Sequence, residues 1–153
     1  AIKLLSKEFV LMNKFNYLFY LFSPVFSFLL ILMMWLIYPM WSNYLNLSMG
    51  LIYLMCCFSL GVYGLLMAGW SSNSSYSMLG SIRSLAQSIS YEVNLLIILI
   101  IPMVLVDSFN LMHLVFIQWG CLWTGIYLWP LCVMFFISIM AELNRTPFDF
   151  SEG

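Results

Sequence analysis

The sequence predicts an all-α integral membrane protein, a bundle of about four transmembrane helices preceded by an interfacial amphipathic helix. Of its 153 residues, 64% are hydrophobic and 7% are charged, whereas a soluble domain carries roughly a quarter charged residues. No charged residue stands between Lys14 and Arg83, an interval long enough for two helices of about 20 residues each. The mean hydropathy of +1.02 agrees with this fold class.

Composition also excludes several function classes. A net charge of -1, with only five Lys and Arg side chains, offers no basic surface for nucleic acid. The single His cannot supply the paired ligands of a membrane haem, and no dinucleotide glycine motif occurs. We predict no metal site, and we interpret the cysteines as small apolar residues in spans because none has CxxC spacing: Cys56, Cys57, Cys121 and Cys132. The chain itself is therefore not expected to carry electrons.

Residues 1–15 (AIKLLSKEFVLMNKF) form the one amphipathic stretch. At about 100° per residue, Lys3, Lys7 and Lys14 fall within about 40° of each other. The opposite face is apolar and consists of Ile2, Leu5, Phe9 and Met12. This pattern predicts a helix that lies in the membrane interface, with its lysines towards headgroups or a partner. A solvated cap on the next helix fits the periodicity equally well.

The interval without charges predicts two spans, at 17–38 and 49–69. Pro24 removes one amide donor from the first span and leaves the carbonyl of Tyr20 needing another partner, so we expect a kink there. Gly61 and Gly64 give the second span a face on which a neighbouring helix can approach closely. We predict that these glycines serve packing and not chemistry.

A polar loop is predicted at 69–83 (GWSSNSSYSMLGSIR), followed by a third span at 81–106. The first half of this span has polar residues all around the helix, so it must face protein or water. Glu92 stands about a dozen residues beyond the loop, at appreciable depth, and both a proton-exchanging and a structural role are open for it. Arg83 lies on the opposite side of an ideal helix and is a poor partner for Glu92.

A fourth span is predicted at 114–140, after a short polar turn with Asp107 and His113. It leads into an acidic loop at 141–153 (AELNRTPFDFSEG), in which the pair Thr146-Pro147 favours a turn. Carboxylates are costly to place on an irregular backbone at a membrane face, so they indicate a functional task. The loop holds four of the eleven charged side chains: Glu142, Arg145, Asp149 and Glu152.

Four spans would place both ends of the chain on one side of the membrane. All five cations then fall on that side, with Asp107 and His113 on the other, and the positive-inside rule assigns the ends to the cytoplasm or the mitochondrial matrix. The chain has no starting Met and ends amid charged residues, and we interpret it as an internal part of a longer protein.

Two polar stretches carry a family resemblance, GWSSNSSYSMLGSIRSLAQSISYEV at 69–93 and AELNRTPFDFSEG at 141–153. They resemble the signature segments of the NADH-ubiquinone oxidoreductase chain 1 family, the membrane subunits that dock the hydrophilic arm of respiratory complex I. The opening AIKLLSKE is similar to that family's matrix-side segment between its first two spans, so the resemblance covers essentially the whole chain. Two departures are Leu143, where the family usually has Thr, and Phe9, where it usually has Pro.

The resemblance implies a multi-pass protein of the mitochondrial inner membrane with both ends on the matrix side. Together with two hydrophilic-arm subunits, it would form the chamber in which the substrate ubiquinone is reduced, and it would contain the acidic start of a proton path. NADH, FMN and the iron–sulfur clusters would bind to other subunits, and neighbouring membrane subunits would be further partners. The motif match implies path carboxylates at Glu92 and Glu142, acids near the quinone cavity at Asp149 and Glu152, balancing cations at Arg83 and Arg145, and the quinone entrance region at Lys3, Lys7 and Glu8.

Spans and charges alone leave three function classes open, of which a subunit of an enzyme complex is the first. A proton-coupled secondary transporter would suit Glu92 and the Pro-containing spans, but the inverted repeat that such a fold predicts is not found. A passive scaffold, whose charges only snorkel to the interface, explains Arg145 and Glu152 better than Glu92. The two motifs favour the enzyme-complex subunit.

Overall fold

A computed structural model describes residues 2–7, 14–38, 46–120 and 123–149. Within these ranges the chain is helical and has no β-strand. The helices are α1 (Ile2–Leu5), α2 (Tyr17–Trp35), α3 (Gly50–Ser71), α4 (Ser75–Val106), α5 (Leu111–Trp119), α6 (Thr124–Tyr127) and α7 (Trp129–Glu142).

Three of the described helices, α2, α3 and α4, are long and apolar enough to cross a membrane. α4 has 32 residues and is about 48 Å long, against a hydrocarbon core of about 30 Å. α7 has 14 residues, about 21 Å, and is too short to cross by itself. The predicted all-α membrane bundle is therefore confirmed, with three spanning helices and several shorter ones in its described part.

The long helices run antiparallel, and α3 packs against both α2 and α4. The amide of Asn16, just before α2, donates to the carbonyl of Ser71 at the end of α3 (3.0 Å). At the other end of the bundle, the amide of Leu51 in α3 donates to the carbonyl of Phe109, beyond α4 (3.2 Å). Ser71 and Leu51 thereby gain partners for terminal groups that their own helix leaves unpaired.

The connection between α3 and α4 is only three residues, 72–74, so the polar loop predicted at 69–83 is wrong over most of its length. Serine hydroxyls of this stretch instead form hydrogen bonds where α3 ends and α4 begins. The hydroxyls of Ser72 and Ser77 both donate to the carbonyl of Gly69 (2.8 and 3.1 Å). Asn73 takes the left-handed conformation (φ 51°), which Asn tolerates better than most residues. Short polar side chains thus serve one tight turn between two helices.

Helix packing involves one of the two glycines singled out in the sequence, Gly64, and a further one, Gly69. Gly64 faces α2 closely, where an added Cβ would stand 3.5 Å from Ser27. At Gly61 an added Cβ would meet no neighbouring atom of the described chain within 4 Å, so the described helices do not pack closely there and the packing role of Gly61 stays a prediction. Gly69 is the tightest position, because a Cβ there would overlap Ser81 of α4 and stand 3.1 Å from the carbonyl oxygen of Ser77.

Pro24 lies inside α2 and deprives the carbonyl of Tyr20 of its helical donor. That carbonyl accepts the hydroxyl of the buried Ser23 instead (3.0 Å). The missing amide is replaced from within the helix, and α2 continues through Pro24 to Trp35.

The single span predicted at 114–140 is divided in the structure. α5 ends at Trp119, Gly120 lies in a turn, and residues 121–122 lie outside the described ranges. Pro130 explains why α6 and α7 are separate, because a helix continuous through it would lose a hydrogen bond, whereas the first turn of α7 tolerates the missing amide. α7 then returns along α4 and packs against it.

The amphipathic helix predicted over 1–15 is helical in the described residues only at Ile2–Leu5. Ser6 and Lys7 leave the helix, and the hydroxyl of Ser6 donates to the carbonyl of Lys3 (2.9 Å), a bond that competes with continuation of the helix. Residues 8–13 lie outside the described residues. One continuous helix through Lys3 and Lys7 is therefore wrong, and the interfacial position stays a prediction.

Candidate functional site

The polar half of α4 has a buried face and an exposed face. Ser84 and Ser88 are buried, and their hydroxyls donate to the carbonyls of Ser81 and Ser84 in the same helix (2.9 and 3.0 Å). Because these hydroxyls have partners within α4, the small side chains allow a neighbouring helix to pack closely. The exposed face carries Arg83, Ser90 and Asn94.

α7 ends at Glu142 in a Schellman motif. The amide of Arg145 donates to the carbonyl of Met140 (3.1 Å), and the amide of Asn144 donates to the carbonyl of Ala141 (3.3 Å). Asn144 has the left-handed conformation that this motif needs (φ 48°). The backbone therefore leaves the helix directly after Glu142, which places the Glu142 carboxyl at the helix end.

A four-residue turn then brings the chain back to α4. The amide of Phe148 donates to the carbonyl of Arg145 (2.7 Å), and the turn contains the cis peptide between Thr146 and Pro147. The ring of Phe148 packs edge-on against Tyr91 of α4, with 5.5 Å between the ring centroids. This arrangement is favourable for an aromatic pair. The predicted acidic loop thus lies, in its described part, against the side of a spanning helix.

Gln87 of α4 holds this segment at two points. Its Nε2 donates to the carbonyl of Ala141 (2.9 Å) and to the carbonyl of Phe148 (2.8 Å). Gln87 is 8% exposed, and it lies about 18 Å along α4 from Ser75. Because a carbonyl oxygen can only accept a hydrogen bond, the amide nitrogen of Gln87 and not its amide oxygen must face the two carbonyls.

The two carboxylates implied by the family motifs interact in this region. Glu142 and Glu92 are both half-buried. Glu142 lies beyond the predicted 114–140 span and outside the three spanning helices. Burial, and next the negative charge of Glu92, raise the pKa of the Glu142 carboxyl to about 6, because both effects disfavour the anion.

Three buried oxygens of this region accept no hydrogen bond within the part of the chain that the structure describes: Gln87 Oε1, Glu142 Oε2 and Asn144 Oδ1. A buried polar atom without a partner costs about 1–3 kcal/mol. All three are acceptors, so the region is rich in lone pairs and poor in donors. It therefore favours protonation of the one titratable group among them, Glu142.

The other residues implied by the family motifs lie apart or outside the described chain. Asp149 is half-buried at the end of the described segment. Arg83 and Arg145 are exposed, as are Lys3 and Lys7. Glu8 and Glu152 lie outside the described residues.

Among the described residues, no group of three or more His, Cys, Asp or Glu side chains could hold a metal ion. A groove of about 390 Å³ lies between α4 and α7 and is lined mainly by apolar side chains, with Tyr91, Asn94 and Ser138 among them. The site thus combines titratable oxygens with an adjoining apolar groove. Such an arrangement suits proton uptake and release in a low-dielectric region.

From the sequence, Gln87 is one of several polar residues in the third span, and no role is predicted for it. No role is predicted for Asn144 or Phe148 either. The signal for Gln87 was present, because a long amide side chain inside an apolar span needs partners for its donors. The identity of those partners, carbonyls more than fifty residues further along the chain, depends on the packing of α7 against α4.

Comparisons with known proteins agree over the full chain. A family model described as NADH dehydrogenase matches residues 1–153. The chain is similar to proteins named NADH-ubiquinone oxidoreductase chain 1, with 48% identity over 153 residues in Locusta migratoria, 42% over 153 residues in Aedes aegypti and 45% over 155 residues in Triticum aestivum. These matches cover 100% of this chain and 48%, 49% and 47% of the respective relatives. The chain thus spans about half the length of the curated relatives it matches.

Proposed function

Because this chain belongs to the NADH dehydrogenase family, we propose that it is part of a core membrane subunit of respiratory complex I in the mitochondrial inner membrane. In this role it helps to form the chamber in which ubiquinone is reduced, and it contributes the acidic start of the proton path. Its partners are the hydrophilic-arm subunits at the quinone site and the neighbouring membrane subunits. NADH, FMN and the iron–sulfur clusters bind to those other subunits.

The observation that carries the proposal is the half-buried Glu142 at the end of α7, under the influence of the negative charge of Glu92. A carboxyl with a pKa of about 6 exchanges its proton near physiological pH, which a proton relay requires. In the proposed mechanism, quinone reduction changes the charge in the chamber, and Glu142 and Glu92 pass that change towards the rest of the membrane arm as proton movement.

The remaining residues take supporting roles that the family motifs imply. Asp149 and Glu152 would line the matrix-side approach to the quinone, and Arg83 and Arg145 would balance the acids. Lys3, Lys7 and Glu8 would lie by the quinone entrance. Both arginines are exposed in the described chain, which is consistent with a role in charge balance.

The substitution Glu142→Gln in the full-length protein, assembled in its complex, tests this function. We expect NADH-driven ubiquinone turnover and proton pumping to fall at least about tenfold, because the side chain keeps its size and loses its exchangeable proton. NADH oxidation with a water-soluble acceptor that bypasses the quinone reports the amount of assembled complex and should not change.

Asp107→Asn is the matched control, since Asp107 is an exposed carboxylate beyond α4, at the far end of the bundle. Its left-handed backbone (φ 53°) suits Asn as well as Asp. This control should keep full turnover and pumping. Full pumping in Glu142→Gln would end the proposal, whereas proton transport independent of quinone would favour a transporter.

A further inference from the structure

We propose that Gln87 is a positioning residue, which ties both ends of segment 141–148 to the middle of α4 and thereby holds the end of α7 that carries Glu142 against α4. The tether itself depends only on the structure, while its effect on turnover rests on the function proposed above. Gln87 does not act on quinone or protons directly.

The first step of the argument is the geometry of the two hydrogen bonds. One amide nitrogen donates to Ala141 in the last turn of α7 and to Phe148 at the end of the following turn (2.9 and 2.8 Å). The two carbonyls are seven residues apart in sequence, so the bonds close the segment between them against α4. A side chain with one donor could hold only one end.

The second step is that the hydrogen bonds within the segment maintain its fold but do not attach it to α4. The Schellman bonds and the bond between Phe148 and Arg145 all lie within residues 139–148. They keep the segment folded without attaching it to α4. In the described chain, two contacts attach it to α4: the hydrogen bonds from Gln87 and the ring contact between Tyr91 and Phe148. An aromatic edge contact is less directional than two hydrogen bonds.

The third step concerns the acceptors in the segment. Glu142 Oε2 and Asn144 Oδ1 are buried and receive no hydrogen bond from the described residues, so they do not anchor the segment. Gln87 uses its donors on backbone carbonyls and leaves its own Oε1 without a partner. The donors of Gln87 therefore supply two directional bonds of this attachment.

The fourth step links position to chemistry. Glu142 directly follows Ala141, whose carbonyl is held by Gln87, so release of that carbonyl frees the helix end that carries the carboxyl. The burial of Glu142 and the effect of Glu92 on it both depend on that end lying against α4. Loss of the tether should therefore disturb proton exchange without removing any titratable group.

The test is Gln87→Met in the assembled complex, because Met has nearly the same length and no amide hydrogens. Hydrogen exchange of the peptide covering 141–149, read by mass spectrometry, reports the tether. The amides of Leu143, Asn144, Arg145 and Phe148 exchange only when the segment's own bonds open, and a helix end released from α4 frays more readily. We expect roughly tenfold faster exchange. The control Gln118→Met removes an exposed amide whose bond partner among the described residues is Thr124 (3.1 Å), and it should leave this peptide unchanged.

Steady-state kinetics of ubiquinone reduction provide the second measurement. Per assembled complex, Gln87→Met should lower kcat for ubiquinone reduction about tenfold and leave KM within about twofold, because the quinone contacts are unchanged. A purely structural role would lower the amount of complex and not kcat. If Gln87→Met does not assemble, Gln87→Asn keeps an amide that is too short to reach both carbonyls, and it should show the same changes to a smaller extent.

Unchanged exchange at 141–149 would overturn the proposal. Faster exchange with unchanged kcat would overturn the positioning role, provided that Glu142→Gln lowers kcat. If Glu142→Gln has no effect on kcat, the proposed function fails, and the exchange measurement still decides whether Gln87 is the tether.

Discussion

The α2–α3 pair and the α4–α7 pair are both antiparallel helix pairs, but they bury different chemistry. α2 and α3 contain no charged residue, and their buried positions include Leu30, Leu51 and Met55. In the second pair the buried positions include Gln87, Ser88 and Ala141, and half-buried carboxylates lie beside them. The first pair resembles an ordinary membrane helix hairpin. The second keeps polar atoms in a place where they are costly, which points to a functional requirement.

The two pairs also differ in where their unpaired backbone carbonyls find hydrogen-bond donors. In α2 the carbonyl opposite Pro24 finds its partner one turn away, in Ser23 of the same helix. In the second pair, a side chain of α4 supplies donors to carbonyls at the end of α7 and beyond it. The bond from Ser23 lies within one helix and does not depend on neighbouring helices, whereas the bonds of Gln87 exist only when α7 is docked against α4. Changes in the second pair should therefore affect position and function before they affect folding.

The largest expected effect is at the junction of the two pairs, in Gly69→Ala. The added Cβ would overlap Ser81 and crowd the carbonyl of Ser77, so α3 and α4 must separate. Overpacking of this kind typically costs about 1–3 kcal/mol of unfolding free energy, and backbone contacts do not yield easily. We expect a lower melting temperature of the assembled complex and a smaller amount of it.

Gly61→Ala is the control in the same helix, because an added Cβ there meets no atom of the described chain within 4 Å. Removal of a helical glycine should stabilise α3 by about 0.5–1 kcal/mol or leave it unchanged. Equal melting temperatures for the two variants would show that α3 and α4 do not depend on their close approach at Gly69.

A smaller effect is expected at Asn144, whose left-handed backbone conformation ends α7. Asn144→Ala places a Cβ without a local hydrogen-bonding group in the left-handed conformation, at a cost of roughly 1 kcal/mol. Asn144→Gly removes the same side chain without that cost. Hydrogen exchange of the 141–149 peptide should be several-fold faster in the Ala variant than in the Gly variant. Identical exchange in both would mean that the left-handed turn does not stabilise the segment.

The smallest effect is a pH dependence that arises in the second pair alone. The pKa of Glu142 is raised from 4.5 to about 6, first by burial and then by Glu92, so the folded state binds more protons than the unfolded state between these values. Stability of the wild type should therefore fall as pH rises from 4.5 to 6 and level off above 6. Glu142→Gln lacks this titration.

The measurement is the difference in melting temperature between Glu142→Gln and wild type as a function of pH. The difference should grow in favour of the variant through the window from 4.5 to 6 and then stay constant. It should be modest, because Glu142 is only half-buried and solvent screens its charge. A difference that is independent of pH would mean that Glu142 is not held in a destabilising environment.

Some features of the fold follow from local sequence properties, and others do not. The absence of charge between Lys14 and Arg83 is enough to predict two spanning helices, because each turn of a lipid-exposed helix must be apolar on its own. The same reasoning failed at 69–83, where serines favour a loop in general but here bond the helix ends and each other. It also failed at 114–140, because apolar composition is continuous across a backbone that Pro130 interrupts.

The sequence by itself determined the membrane class, the family and the charged motif at the end of the chain, because hydropathy and motif residues are properties of single positions and short windows. Only the tertiary structure decided that the segment after Glu142 folds back onto α4, that Gln87 holds it at two carbonyls, and that Glu142 lies under the influence of Glu92. These contacts join residues about fifty to sixty positions apart, and hydrogen bonds form only when distance and direction are both satisfied. The docking of α7 along α4 provides that distance and direction.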